Sequence, residues 1–518
     1  MPSSHILAHD LGTTGDKATL YASDGTLVDS CFSPYETDYP EVNWVEQRPS
    51  DWWAAVCQAT QALIHTTGLN PDEIGVVSFS GQMLGCLPVD EDGQPLRNAI
   101  IWADHRAVDE AQQLADVVGL ETFYRITGHR ASASYSAPKL MWVRDNEPRV
   151  FEKTHRMLQA KDYIVHRLTG QFATDHTDAS STNVYDLNKR DWSDTLLDAT
   201  GLPKDVLPPI YASTDVVGEV TADAADQSGL APGTRVVIGG GDGLCAAAGA
   251  GSVREGIGYS YLGSSGWIAM SAQNPLFDPD MRTFTWAHLD PELVSPNGTM
   301  QSAGGALQWA RDAFCQSEVQ AAEQVGLDSY QLIDQHVENC PAGARGLIFL
   351  PYLLGERSPR WHPDARGAFV GLARHHTKRE MVRAVMEGVC CNLRIVLDAL
   401  TAQGPSVDEI RVIGGGARSS VWRQIMADIY QTPILQTEYP HEATSLGAAI
   451  AGGVGIDVFD DMADAEELVR TTDQTDPDPW RSRRYERLFE IFDASYRHLT
   501  EVFDEISEFQ SNDGRAGS

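Results

Sequence analysis

The stretch "DLGTTGDKATL", residues 10 to 20, has a near copy at the midpoint of the chain, "YLGSSGWIAM", residues 261 to 270. Each reads Leu-Gly, two hydroxyl residues, Gly, and then an extended run rich in apolar side chains. Gly12 and Gly263 lie 251 residues apart in a chain of 518. That spacing, half the chain, predicts a duplicated domain with one such loop near the start of each half and a ligand clamped between them. Around the first copy, "HILAHD" is a short apolar run and "KATLYASDGTLVDS" carries a second reversal at Ser23-Asp24-Gly25. The pattern reads strand, tight turn, strand, turn, strand. In the turn, Gly12 and Gly15 let backbone approach a ligand, and Thr13 and Thr14 add hydroxyl donors. Backbone N–H groups and hydroxyls gathered this way suit an anion. A single loop of this kind is equally readable as a solvated hairpin; a matched pair is much harder to explain that way. The Walker pattern of glycines closing on Lys-Ser/Thr before a helix is absent from the sequence.

Between the two copies lies "GTRVVIGGGDGLCAAAGAG", residues 233 to 251. Arg235 to Ile238 reads as a strand, followed by three glycines, Asp242 and a small-residue helix. A carboxylate at that junction is placed either for catalysis or as a helix cap, and the two roles are compatible. The same grammar of strand, glycine turn and helix returns in "EIRVIGGGARSSVWRQIMADIY", residues 409 to 430, where Val421, Trp422, Ile425, Met426 and Ile429 follow a 3.6-residue period. A bare glycine turn there can admit a flat ring such as adenine. "HEATSLGAAIAGG", residues 441 to 453, supplies another small-residue helix able to pack close behind that turn. The aromatic and acidic stretch 476 to 506 has helical periodicity and reads as a C-terminal helix covering a domain.

Length favours two or three domains. No apolar run is long enough to span a bilayer, so no membrane partner is expected. The N-terminal segment has no basic region and Asp10 interrupts its apolar run, so no export signal is read and a cytoplasmic location is expected. The eight cysteines have no metal-type spacing and read as reduced thiols. His375-His376 reads as an exposed pair, and the sequon Asn297-Gly298-Thr299 as incidental. The net charge of −34 comes from 73 acids spread along the chain against 39 bases, with lysine only at seven positions. Nucleic acid is an unfavourable partner for such a surface. A salt-filled cytoplasm explains the excess, because the Debye length falls to about 3 Å near 1 M and self-repulsion is screened.

Taken in order, "DLGTTGDK", "SGQM" (80–83), "IWADHR" (101–106), "SAPKLMWV" (136–143), "KDYIVHRLTGQFATDHTDAS" (161–180), "GGGD" (239–242), "LGSSG", "PYLLGERSPRW" (351–361) and "GGGARSSVWRQ" (414–424) resemble the FGGY family of carbohydrate kinases, in particular its xylulokinase branch. The resemblance runs from about Ile6 to Gly453. It implies an α/β fold of duplicated actin-like ATPase (ribonuclease-H-like) domains around a central cleft. Residues 1–252 would form the sugar-side domain with the first phosphate loop and the catalytic acid, 253–455 the nucleotide-side domain, and 456–518 an acidic helical extension packed on the second domain. By the same resemblance the cofactors are ATP and Mg²⁺. Asp10 would hold the metal through water and Asp242 would be the general base. Thr13, Thr14 and Lys17 match the first phosphate loop and Gly263 and Ser264 the second, while Gly304, Gln308, Gly416 and Ser420 fall where the nucleotide lies. Gln82, Met83, Leu84, Trp102, Asp104 and Tyr135 fall on the sugar side, with Asp242. Two departures bear on the acceptor. Leu84 stands where xylulokinases commonly carry His, and Gly243 where Asn is common; each removes a polar partner for a sugar hydroxyl. The implied reaction is ATP-dependent phosphorylation of a ketose, D-xylulose leading, with other ketoses and polyols as alternatives. An actin-like ATPase scaffold or chaperone without a sugar substrate is the reading from a different class, and the sugar-side segments with the GGGD acid separate the two. Assembly is left open, a homodimer being one option.

Overall fold

The computed structural model describes residues 5–515. Its first sheet opens with the expected hairpins: β1 (His5–Leu11), β2 (Gly15–Tyr21) and β3 (Leu27–Pro34) form an antiparallel meander. β4 (Ile74–Gly81) lies parallel to β1 on its other side, followed outward by β6 (Arg235–Val237), parallel, and the edge strand β5 (Val216–Glu219), antiparallel. β1 is largely buried on both faces, with Ile6, Leu7, Ala8 and Leu11 packed in the core and His9 buried among them, whereas β3 alternates because one face meets water. α1 (Pro49–Thr67) starts on a proline, stops at left-handed Gly68, and lays Trp52, Ala59 and Leu63 onto this sheet.

The second sheet repeats the plan. β7 (Ile257–Leu262), β8 (Gly266–Met270) and β10 (Val294–Met300) form the antiparallel part, with β9 (Phe284–Ala287) added at its edge. β11 (Glu409–Ile413) and β12 (Ile434–Thr437) run parallel to β7, and β13 (Thr471–Thr475) closes the far edge antiparallel. Strand for strand, β5-β6-β4-β1-β2-β3 corresponds to β13-β12-β11-β7-β8-β10. The duplication read from two short loops therefore extends across six strands of each sheet.

Helices α2 (Asp242–Gly249) and α6 (Ala443–Gly455) join the halves. They cross on bare backbone: a Cβ on Gly249 would sit 1.7 Å from the Ala443 carbonyl oxygen, and one on Gly447 1.9 Å from that of Cys245. α6 belongs to the second half by sequence yet packs over β1 and β4 of the first, with Gly452 above Ser78 and Gly453 near Ile6. The sequence suggested a place behind the 414–416 turn; only the entry to α6 adjoins it, where Gly414 N–H donates to Pro440 O. α7 (Pro479–Arg515) carries Tyr485, Leu488, Phe492, Tyr496 and Phe503 into the second-domain core alongside the long helix α4 (Lys378–Thr401). Upstream of it, Phe459, Met462 and Val469 pack with Ile6 and Tyr21 of the first domain, so residues 456–475 touch both halves. Seven of the eight cysteines are buried, and all are free thiols. Asn297 and Thr299 lie within β10, and among the described residues no helix is long and apolar enough to cross a membrane.

Candidate active site

Most of the residues that the resemblance assigns to the nucleotide side surround one cavity of about 540 Å³, walled by the β7–β8 turn, the start of α3 (Gly304–Phe314), the glycine turn after β11 and the start of α5 (Ser420–Tyr430). Gly263, Ser264, Gly304, Gln308 and Gly416 all line it. Its tightness explains the glycines. Gly304 N–H donates to Gly263 O at 2.7 Å, and a Cβ at 304 would fall 2.4 Å from that oxygen. Ser420 is not in the wall. Its neighbour Ser419 is, with its hydroxyl accepting from Trp422 N–H as the cap of α5. The sequence reading also missed Asp328, Tyr330 and Asp334, which close the far side. Burial raises Asp334 to about 6.

At the cleft floor, β1 delivers Asp10 and the β6–α2 junction delivers Asp242. Ser80 donates its hydroxyl to Asp10 Oδ1 at 2.8 Å, which favours the carboxylate, but burial outweighs it and raises Asp10 to about 6. Asp242 is the first residue of α2 rather than its cap, a place taken by Gly241, and its Oδ1 accepts from Gly243 N–H at 2.7 Å. Burial, assisted by the charge of Asp10, raises Asp242 to about 7. A buried polar chain fixes it from beneath: Gly241 N–H donates to Thr177 Oγ1 (2.8 Å), the Thr177 hydroxyl donates to Asp175 (2.6 Å), and Asp175 meets Lys161 at 3.0 Å. Lys161 also reaches Asp162 and Asp178, and the cluster is essentially sealed from water. The 161–180 stretch carried the family resemblance without any role assigned to these groups. From the other half, Tyr259 donates its hydroxyl to Gly243 O at 2.6 Å.

The residues that the resemblance assigns to the acceptor side gather on the first domain. Gln82 is buried and donates to Gln47 Oε1 at 2.8 Å and, more weakly, to Gly12 O at 3.3 Å. Met83 fills the space a Cβ on Gly241 would need, its sulfur 2.5 Å from that point. Leu84 adopts left-handed backbone, φ 70°. Trp102 is 38% exposed and donates its indole N–H to Thr13 Oγ1 at 2.9 Å, linking its segment to the β1–β2 turn. Tyr135 pairs its hydroxyl with His129 Nδ1 at 3.0 Å and stacks with Trp286, a second-domain residue. Asp104 lies behind these residues: it is wholly buried, forked by Arg106 and bonded to Val45 N–H. Thr14 is exposed on the β1–β2 turn, while the Lys17 ammonium binds His441 O (3.0 Å) and Glu442 (2.9 Å) at the entry to α6. The position of Gly243 is open, with no atom within 4 Å of a built Cβ. One residue the sequence reading passed over is Arg357, from the "LGERSP" stretch. Its guanidinium approaches Tyr135 closely enough to perturb it, and its buried Nε has no hydrogen-bond partner.

The donor set at Asp10 suits Mg²⁺. That ion is commonly held by one or two carboxylates, waters and substrate phosphates rather than by an all-protein cage. Asp10 offers a carboxylate with one oxygen engaged by Ser80, and among the described residues no group of three His, Cys, Asp or Glu could hold a metal ion.

Comparison with known proteins matches this arrangement over both halves. Residues 5–249 match the N-terminal domain of the FGGY family of carbohydrate kinases and residues 258–456 its C-terminal domain. The chain is 30% identical to a xylulose kinase of Bacillus subtilis (strain 168) over 98% of its own length and 100% of that protein. It is 32% identical to a gluconokinase of the same organism over 98% of each. Its fold superposes on a gluconate kinase from Lactobacillus acidophilus with a TM-score of 0.90 at 28% identity, covering 97% of this chain and 100% of that one. With the two family domains in tandem along its length, this chain belongs to the FGGY family of carbohydrate kinases.

Proposed function

We propose that the protein transfers the γ-phosphoryl group of ATP to a hydroxyl of D-xylulose, giving D-xylulose 5-phosphate. The observation that carries this reading is Asp242, raised to about 7 at the cleft floor, where the two halves meet. An alcohol is a poor nucleophile, and a carboxylate poised near neutral pH is well matched to take its proton as attack proceeds. Asp242 does so while the Gly241–Thr177–Asp175 chain keeps it from turning away. Thr13, Thr14, Gly263 and Ser264 present amides and hydroxyls to the phosphoryl oxygens, and the cavity around Gly304, Gln308 and Gly416 takes the adenosine. Asp10 would hold Mg²⁺, which would supply neutralisation of the charge on the transferring group. Closing of the halves about the α2–α6 crossing would exclude water and limit idle ATP hydrolysis.

One observation favours a second acceptor. The Arg357 guanidinium makes no side-chain hydrogen bond and no close ion pair among the described residues, feeling only the more distant charge of Glu356, and it is set beside the acceptor wall of a strongly acidic protein. A carboxylate-bearing acceptor such as D-gluconate would supply the missing partner. ADP release measured over pentuloses, hexuloses, polyols and D-gluconate tests both readings. D-xylulose with the highest kcat/KM supports the first. D-gluconate ahead of it, with its advantage lost in Arg357→Met, replaces the first by the second.

A further inference from the structure

The chain uses only seven lysines, and two of them, Lys139 and Lys161, are fully buried. Lys161 lies within three carboxylates. Lys139 has none in contact. It projects from the helix Ser136–Asn146, and its ammonium donates to three backbone carbonyls: Leu84 O at 2.9 Å, Ile101 O at 2.8 Å and Ser134 O at 2.6 Å. Two of those carbonyls come from segments 55 and 38 residues away in sequence. The first belongs to Leu84 itself, the second to the residue before Trp102 and the third to the residue before Tyr135.

We propose that Lys139 is the positioning residue of the acceptor pocket, one ammonium that sets three separate chain segments at the points where they present Leu84, Trp102 and Tyr135. This rests on the reading of those residues as the acceptor wall. An ammonium has three N–H donors, and here all three are used. Arginine, with five donors in a flat fork, does not match three converging carbonyls, which accounts for a lysine in a chain that otherwise avoids it. Burying the charge is unfavourable: it pulls the ammonium down to about 7, against the opposing influence of Asp104. An apolar side chain of similar length would fill the space at less cost, so fold stability alone does not account for it. The strongest local sign is Leu84. A leucine at φ 70° is in a region that favours glycine, and both of its backbone groups are pinned, the N–H to Ser181 Oγ at 3.3 Å and the C=O to Lys139. Without Lys139, Leu84 is free to relax and to carry its side chain out of the pocket.

Lys139→Met keeps the length of the side chain and removes every donor. Measured with the best acceptor of the wild-type protein, its KM for that acceptor should rise at least tenfold, while KM for ATP stays within twofold. Lys139→Gln, which keeps two N–H donors, should fall between the two. An equal shift in both KM values, or no shift in either, overturns the proposal. So does loss of folding in both variants, since that would make Lys139 a general stability residue. A wild-type protein that phosphorylates no acceptor would instead remove the functional reading beneath it, and the wild-type control separates these failures.

Discussion

Replacing Asp242 with Asn keeps the shape of the side chain and removes both its basicity and its charge, and the two losses should act in opposite directions. Turnover of the best acceptor should fall by at least ~10²-fold, the scale of a lost general base, with ATP binding retained. Stability should rise. Burial lifts Asp242 from an ordinary 3.8 to about 7, so between those values the unfolded chain ionises this group while the folded protein still holds the proton. The native state therefore loses stability as pH climbs from ~4 to ~7, and the full cost is present above that. At ~1.36 kcal/mol per pH unit the shift is worth ~4 kcal/mol as an upper bound at pH 8. Water reaching this half-buried carboxylate screens part of it, leaving ~1–2 kcal/mol, or a melting point about 1–2 °C higher in the variant of this 518-residue chain. At pH 5 the advantage should shrink to below ~1 kcal/mol by the same linkage. Thermal melts at the two pH values, paired with ADP release, are the assay. Near-normal turnover would refute the role as base, and a stability difference unaffected by pH would refute burial as the origin of the raised value.

Three further outcomes are expected. Asp10→Ala should cripple turnover and flatten its dependence on Mg²⁺ while leaving the melting temperature at neutral pH no lower than that of the wild type, because the one side-chain bond lost, from Ser80, is offset by removal of a carboxylate that burial raises to about 6; an unchanged metal titration would contradict the assigned role. Leu84→His should alter relative kcat/KM among ketoses more than it alters KM for ATP, and a uniform effect on every sugar would mean that position 84 does not read hydroxyls. With a net charge of −34, the melting temperature should climb steeply between ~0.05 M and ~2 M KCl without ATP, since the Debye length shrinks from about 14 Å to about 2 Å; equal stability at both concentrations would remove the high-salt explanation of the acidic surface.

What could be read from the sequence was local. The two hairpin loops, the strand–glycine–Asp242 junction and the glycine turn at 414–416 are contiguous, and each contains its own turn chemistry, so their geometry followed from short stretches. The cavity showed where that reasoning stops. Ser419 and Ser420 are indistinguishable as letters, yet only the first lines the cavity, because it caps α5. Asp104 sits in a run that resembles the sugar side, and nothing local shows that Arg106, two residues on, takes up its carboxylate behind the wall. Lys17 reads as a phosphate ligand beside its loop, while its partners His441 and Glu442 lie more than 400 residues away. Arg357, Trp286 and Asp334 reach the cleft through tertiary packing, and their sequence neighbourhoods carry no mark of it. Lysine scarcity was visible; that two of the seven serve as buried hubs was not.

The central claim is that a nucleotide cavity and an acceptor wall meet at Asp242 to couple ATP cleavage to a sugar hydroxyl. The most direct test is ADP formation at saturating Mg²⁺ and ATP, with and without D-xylulose, with phosphorylated sugar quantified in the same samples. The account predicts one sugar phosphate per ADP with the acceptor present and little ADP without it. ADP released at the same rate in both samples, with no phosphorylated sugar, would contradict it.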